Sequence, residues 1–443
     1  MVSTNFGDRL LLCDVNEPFS ISVARLRNLL IVFLVAAMPI TRAIDLGGKQ
    51  ANLAASDLIL PFGIVFLVSQ ALRGRIRLPL AGACCLSICS FVLSILANWD
   101  LSLLKKGTTG SGVEIGKIIF LWIHFYLIVN LIQNRRDLSL LLKTWLLSSG
   151  LVALSGIAGS VAYQTTGVEN SYALMFRAQG TLGDCNLFAA HLALSFVLTL
   201  LYRRLSTPVP LWTLPLMLLQ ITGILFSASR GGMLAFALSL TAIWTLSSSL
   251  RTKVAGAALT LCAALFLVAL PDAEKDTLLS SNPVTARLAT FTVSLQDEQA
   301  ADRKELWQGA WNQIAAAPIF GMGRGNYGGQ VHNTALEILC ETGMLGLVSY
   351  AILAYWSVAG LLLERWSYPS HEVATGARIL LIALMTVGVS GMTISIENYR
   401  GLWVLFGVGE LYRRLYRDTT GEWMAPDMAP IRLTPDTRAR IVS

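Results

Sequence analysis

Residues 210–249 read PLWTLPLMLLQITGILFSASRGGMLAFALSLTAIWTLSSS, an apolar run of about 40 residues interrupted only by Ser227-Ala228-Ser229-Arg230-Gly231-Gly232. A hydrocarbon core about 30 Å thick is crossed by roughly 20 helical residues, so one helix cannot absorb this length. The SASRGG segment is therefore a turn joining two crossings, 210–227 and 231–249. It carries Arg230 at the end of an apolar segment, where a charge costs about 2.5–3.5 kcal/mol on insertion scales. A residue kept at that cost has a partner or a task, and the two glycines after it clear space around its guanidinium.

Runs of similar length recur on both sides, at 26–44, 54–72, 78–97, 113–133, 138–162, 186–202, 253–270, 336–362, 375–395 and 398–415. With the first pair they make twelve expected spans, in a 443-residue chain that is 54% hydrophobic and 14% charged. That composition, with a mean hydropathy of +0.60, excludes an ordinary soluble protein. The expected fold class is all-α, an integral membrane protein with about twelve transmembrane helices.

Lysine and arginine set the orientation, because positive loops remain cytoplasmic. With the N-terminus inside, the inner loops hold Arg73, Arg75 and Arg77, then Arg135 and Arg136, Arg203 and Arg204, and Arg251 and Lys253. Arg365 and Arg378 follow, and finally Arg413, Arg414 and Arg417. An even number of spans leaves both termini in the cytoplasm and puts 163–185, the SASRGG turn and 271–335 outside. The expected organisation is a cytoplasmic segment 1–25, spans one to nine over 26–270, an outer loop 271–335, spans ten to twelve over 336–415, and a cytoplasmic tail 416–443. No short h-region with a small-residue cleavage site precedes the first span, which reads as an uncleaved anchor. The net charge of +7 is this loop bias and gives no argument for nucleic acid as a partner.

Of the seven cysteines, Cys84, Cys85, Cys89 and Cys262 fall inside apolar spans, and none forms a CxxC pattern. The four histidines are too scattered to suggest a metal cluster, and no cofactor is expected.

Loops as long as 271–335 are uncommon without a function. Within it, 303–317 reads as an amphipathic helix, with Leu306, Ala310 and Ile314 at four-residue spacing, Trp307 and Trp311 beside them, and Pro318 as the stop. Tryptophan there suits the membrane interface. The Gly-rich stretch 321–329, GMGRGNYGG, follows. It reads either as a connector or as backbone amides that hold an anion together with Arg324. Its spacing is neither a Walker nor a Rossmann motif. His332 and Asn333 then precede a helix start, where Thr334 caps and Glu337 bonds back as a capping box. His332 thus lies beside the positive end of a helix dipole and near arginines, which disfavours imidazolium. A neutral imidazole can take a proton from a hydroxyl near pH 7. Glu337, Glu341 and Glu397, near the same edge, are acidic alternatives for that role.

Arg177 in FRAQGTLGDCN, Arg400 in IENYRG, and Arg324 with Asn326 in the Gly-rich stretch share the expected outer face with Arg230 and His332. A diphosphate carries about two negative charges, and the guanidinium fork matches it better than a lysine does.

The SRGG turn, R-x3-W from Arg303 to Trp307, and Pro318-Ile319-x-Gly321-x-Gly323 leading to His332-Asn333 form one series. It closes with Leu339-Cys340-Glu341-Thr342-Gly343-Met344-Leu345-Gly346. In these motifs, which cover about 120 residues, the chain resembles the bacterial O-antigen ligases within the O-antigen ligase/polymerase superfamily. The resemblance implies a GT-C-type glycosyltransferase of the bacterial inner membrane, with a long periplasmic loop between helices nine and ten. Similar enzymes move a glycan from undecaprenyl diphosphate to a sugar hydroxyl of lipid A-core on the periplasmic face, without a nucleotide sugar or a required metal. The implied roles are a general base for His332 and diphosphate stabilisation for Arg230 and Arg303. Arg177, Arg324, Asn326 and Arg400 join the substrate-binding set from sidedness alone. Glycan polymerases and protein O-oligosaccharyltransferases of the same superfamily share the His-containing loop. A transporter would show inverted repeats with Gly/Pro-broken helices in matching halves, which this sequence lacks.

Overall fold

In lipid every backbone polar group must be satisfied within its own segment, so long apolar runs fold as helices. The computed structural model describes residues 17–45, 50–245, 298–327, 331–367 and 371–420. The first helices are α1 (Glu17–Ala37), α2 (Leu60–Leu72), α3 (Ala81–Ala97), α4 (Trp99–Leu131), α5 (Arg135–Thr166) and α6 (Cys185–Leu205). They are followed by α7 (Thr213–Phe226), α8 (Arg230–Thr245), α9 (Glu298–Ala316), α10 (Thr334–Ser367), α11 (His371–Gly391) and α12 (Arg400–Thr420). Each expected span overlies one of these helices except the ninth, 253–270, which lies outside the described residues. Among the described residues, six helical segments are long and apolar enough to cross a membrane: Ala55–Leu72, Gly112–Leu131, Arg135–Thr166, Cys185–Leu205, Thr334–Glu364 and Val373–Gly391. Helices α3 and α7 are apolar but shorter.

The all-α fold carries two short strand pairs among the described residues. Strands β1 (Thr41–Asp45) and β2 (Gln50–Ala54) form an antiparallel hairpin after α1, and a two-residue pair, β3 (Ala173–Leu174) with β4 (Arg177–Ala178), lies between α5 and α6. Backbone in these polar connections is not paired within a helix, and the hairpins satisfy it.

Side chains cap the helices at their ends. Asn134 accepts from the N–H groups of Arg136 and Asp137 to open α5, and Asp184 does the same for Asn186 and Leu187 to open α6. Helix α12 carries Glu410, Arg413 and Arg414 yet packs against α4 in the middle of the bundle. Its Trp403 meets Trp122 edge-on at 5.0 Å, with both indoles buried. Arg414 donates to the carbonyls of Val129 and Ile132, which the end of α4 leaves without helical partners. Arg27 pairs with Asp137 at 3.1 Å at this same end of the bundle.

Small residues set the closest helix contacts, as is usual where lipid competes with protein for apolar surface. Gly231 and Gly232 of the SRGG turn do not open space around Arg230. A Cβ on Gly231 would collide with Thr393, and one on Gly232 with Ala189, so these glycines let α8 pack tightly on α6 and on the segment after α11.

Candidate active site

The sequence PIFGMG and the sequence LCETGMLG, read separately as motifs, are two halves of one structure. Helix α10 is broken at Gly343, whose φ is +66°. Residues 318–323 lie across the break, with Met344 N–H donating to Pro318 O at 2.9 Å, Met322 N–H to Cys340 O at 2.8 Å, and Gly323 N–H to Glu341 O at 3.1 Å. A side chain on Gly343 would strike the Ile319 carbonyl, and one on Gly321, with φ +65°, the backbone of Glu341. Glycine is required at both places because positive φ and close backbone approach coincide.

The Gly-rich stretch does gather a guanidinium and a backbone amide around an anion, and that anion belongs to the chain. Gly325 N–H donates to Glu341 Oε1 at 2.8 Å, and Arg324 pairs with Glu341 Oε2, with Glu397 Oε1 at 3.0 Å and with Glu114 at 3.6 Å. Arg324 is 4% exposed. Burial works against its charge, but Glu397 and Glu114 outweigh that, so its pKa is pushed above the usual arginine range. Asn326 is buried too, its amide donating to Ser102 Oγ and Met322 O, both at 2.9 Å. The placement of Arg324 and Asn326 is therefore that of a buried brace between α4, α10 and the segment before α12.

His332 is half-buried, with φ +54°, and lines a polar cavity of about 380 Å³. Asp184, Glu337, Glu397, Asn398 and Arg400 line the same cavity. Neighbours pin the backbone on both sides of His332. Val331 N–H donates to Glu337 Oε2 at 2.9 Å, and its carbonyl accepts from Trp307 Nε1 of α9 at 3.0 Å. On the other side Asn333 caps α10, accepting from Leu336 N–H at 3.1 Å. The cap expected at Thr334 thus falls one residue earlier. Thr334 is drawn instead to Ile394 O and Ile396 N–H, and Glu337 reaches Val331 and Ser395 rather than closing a capping box. His332 still precedes the positive end of the helix.

Arg177 and the SRGG turn are joined through one asparagine. Arg177 Nε donates to Ser227 O at 3.1 Å, Arg177 Nη2 to Asn186 Oδ1 at 3.3 Å, and Ser229 Oγ to the same Asn186 oxygen at 2.8 Å. Arg230, half-buried, begins α8 from this turn. Asn186 lies between Asp184 and Leu187, both of which line the cavity. Arg230 itself does not line it. Arg400 does, held by Asp57 through Nε at 3.1 Å and through Nη2. His124, buried in α4, stands 3.7 Å behind that carboxylate. Arg303 belongs to α9, and its side chain lies outside the described residues.

Asp57, His124, Asp184 and Asn186 were not among the residues singled out by sequence. Asp57 and His124 had the same signal as Arg230, an ionisable group beside or inside an apolar run. Asp184 is a helix-capping residue before an apolar run, a pattern that announces the helix and says nothing of the cavity.

Fold and site together define a multi-pass helical membrane protein with a charged, histidine-lined cavity at one end of its bundle. The O-antigen ligase family profile matches residues 215–351, a span that includes the SRGG turn, Arg303 and His332. That family consists of glycosyltransferase-like membrane enzymes acting on lipid-linked glycans and lipid acceptors. No curated protein gives a significant match.

Proposed function

We propose that the chain is an O-antigen ligase of the bacterial inner membrane, GT-C in type, with both termini cytoplasmic and the cavity periplasmic. It transfers a glycan from undecaprenyl diphosphate to a sugar hydroxyl of lipid A-core by single displacement, inverting the anomeric centre. The observation that carries this reading is the meeting of two unlike pockets at one loop. The polar cavity holds His332, and next to it Asn333, Thr334 and Met392 border an apolar pocket of about 500 Å³ between α10 and α11. A lipid-linked sugar, with a polar head and a hydrocarbon tail, fits that pair, and neither half alone calls for it.

The chemistry follows from the groups at hand. The leaving diphosphate gains charge as the glycosidic bond breaks, and fixed cations lower that barrier because they need no reorganisation. Arg230 and Arg303 fill this role, with Arg177 bracing the SRGG turn, while Arg400, held by Asp57, contacts the glycan in the cavity. Guanidinium groups supply the charge that a metal would otherwise bring. The acceptor hydroxyl is a weak acid and gives its proton to His332. Arg324 and Asn326 act by holding α10 and the cavity wall in place.

Reconstitution with undecaprenyl-diphosphate glycan and lipid A-core, with and without chelator, tests the proposal. Glycan-capped lipid A-core formed equally in both conditions is the expected product. Glycan added to a second lipid-linked glycan would instead mark a polymerase, and loss of transfer with chelator would overturn the metal-independent mechanism.

A further inference from the structure

Three carboxylates line the polar cavity, from Asp184 at the start of α6, Glu337 in α10 and Glu397 before α12. Against them stands Arg400, already paired with Asp57, and His332. Such a lining repels a diphosphate. The guanidinium-bearing SRGG turn, with Arg177 and Arg230, borders this region without lining it. Donor and acceptor chemistry are therefore sorted into adjacent places by charge.

Glu397 adds a second and independent observation. It is 2% exposed, its Oε1 accepts from Arg324 and from Asn398 Nδ2, both at 3.0 Å, and its Oε2 is buried without a hydrogen-bond partner. A buried carboxylate oxygen without a donor is costly, and polar groups so placed are usually completed by a ligand or a water. A sugar hydroxyl supplies that donor. A phosphate or carboxylate oxygen on the incoming molecule does not.

We propose that the cavity is the acceptor subsite, that it takes an uncharged polyhydroxyl sugar terminus, and that Glu397 Oε2 receives a hydrogen bond from one of its hydroxyls. This rests on the ligase reading above. The volume of about 380 Å³ is at the small end of ligand pockets and suits a terminus rather than a whole glycan repeat. Within it His332 takes the proton of the reacting hydroxyl, while Glu397 orients the sugar through a neighbouring one.

The test uses the full chain in liposomes, with undecaprenyl-diphosphate glycan as donor and lipid A-core as acceptor, measuring apparent KM for each substrate separately. Glu397→Gln should raise the acceptor KM about tenfold or more, the loss of one charge-assisted hydrogen bond, and leave the donor KM unchanged. Thr41→Phe, which narrows the cavity from the β1 side and does not touch the Arg324 cluster, should raise the acceptor KM in the same way. It keeps the test decisive if the glutamine variant fails to fold. An acceptor ending in an uncharged hexose should be preferred over the same core ending in a phosphorylated sugar. Unchanged acceptor KM in the folded variants, or a rise in donor KM alone, overturns the assignment while leaving the ligase reading intact. A wild-type chain that transfers no glycan from the lipid diphosphate overturns the ligase reading itself.

Discussion

Arg324 Nη2 donates to Glu397 Oε1 at 3.0 Å, so a residue of the Gly-rich stretch holds one oxygen of the carboxylate whose other oxygen is buried beside the polar cavity. The same guanidinium reaches Glu341 and Glu114, tying α10, α4 and the segment before α12 at a single point. An arginine that looks like a ligand-binding cation in the sequence is in place a brace under the cavity.

Arg324→Ala therefore removes the shared counter-charge of three carboxylates. Breaking a buried pair from one side costs about 3–5 kcal/mol, and here more than one acid is left behind. The expected result is a marked fall in melting temperature in detergent and poor yield. A variant that melts normally but binds donor weakly would return Arg324 to the substrate-binding set.

Gly343→Ala meets the Ile319 carbonyl and a φ of +66° that a side chain resists. The strain is on the order of 1–3 kcal/mol before the collision is counted. The expected outcome is a lower melting temperature together with lost transfer, since residues 318–323 can no longer lie across the break. Melting unchanged from wild type would show that the break in α10 is not needed.

Arg230→Ala should weaken binding of undecaprenyl diphosphate by about tenfold or more, the worth of a charged hydrogen bond. Asn186→Ala should act in the same direction and less strongly, because Asn186 bridges Arg177 and Ser229 and so fixes the turn that presents Arg230. Unchanged donor affinity in both would remove the SRGG turn from the donor site.

Sidedness can be read with a membrane-impermeant thiol probe in a background whose own cysteines are replaced by serine. A cysteine at Glu305, exposed on α9, should be labelled in intact spheroplasts, and one at Arg75, exposed after α2, only after lysis. The reverse pattern would invert the proposed topology.

Where apolar length alone decides, as in α5, α6 and α11, the helices could be read from the sequence. Helix α12 could be placed but not understood, because its charges are matched by α4 and by Glu364 in α10, which are far away in the chain. The strands at 41–45 and 50–54 are short, and the brief alternation Gln50-Ala51-Asn52-Leu53 is overshadowed by the apolar runs on either side. The cap of α10 lies at Asn333, one residue before Thr334, because Thr334 finds partners after α11, and local spacing carries no trace of them. The candidate site shows the same limit. His332 and Arg230 stood out by type and setting, whereas Arg400 meets Asp57, 343 residues away. The anion held by the Gly-rich stretch was invisible for the same reason, since Glu341 looked like part of a helix motif.

In the proposed reaction His332 takes the proton of the acceptor hydroxyl as the glycan leaves undecaprenyl diphosphate. The role of His332 is tested by the rate of glycan transfer to lipid A-core by reconstituted His332→Ala, measured beside its binding of the donor lipid. General-base removal costs about 10²–10⁴-fold, so transfer should fall by at least two orders of magnitude while donor binding and melting temperature stay near wild type. Transfer at a near-normal rate would show that His332 is not the base.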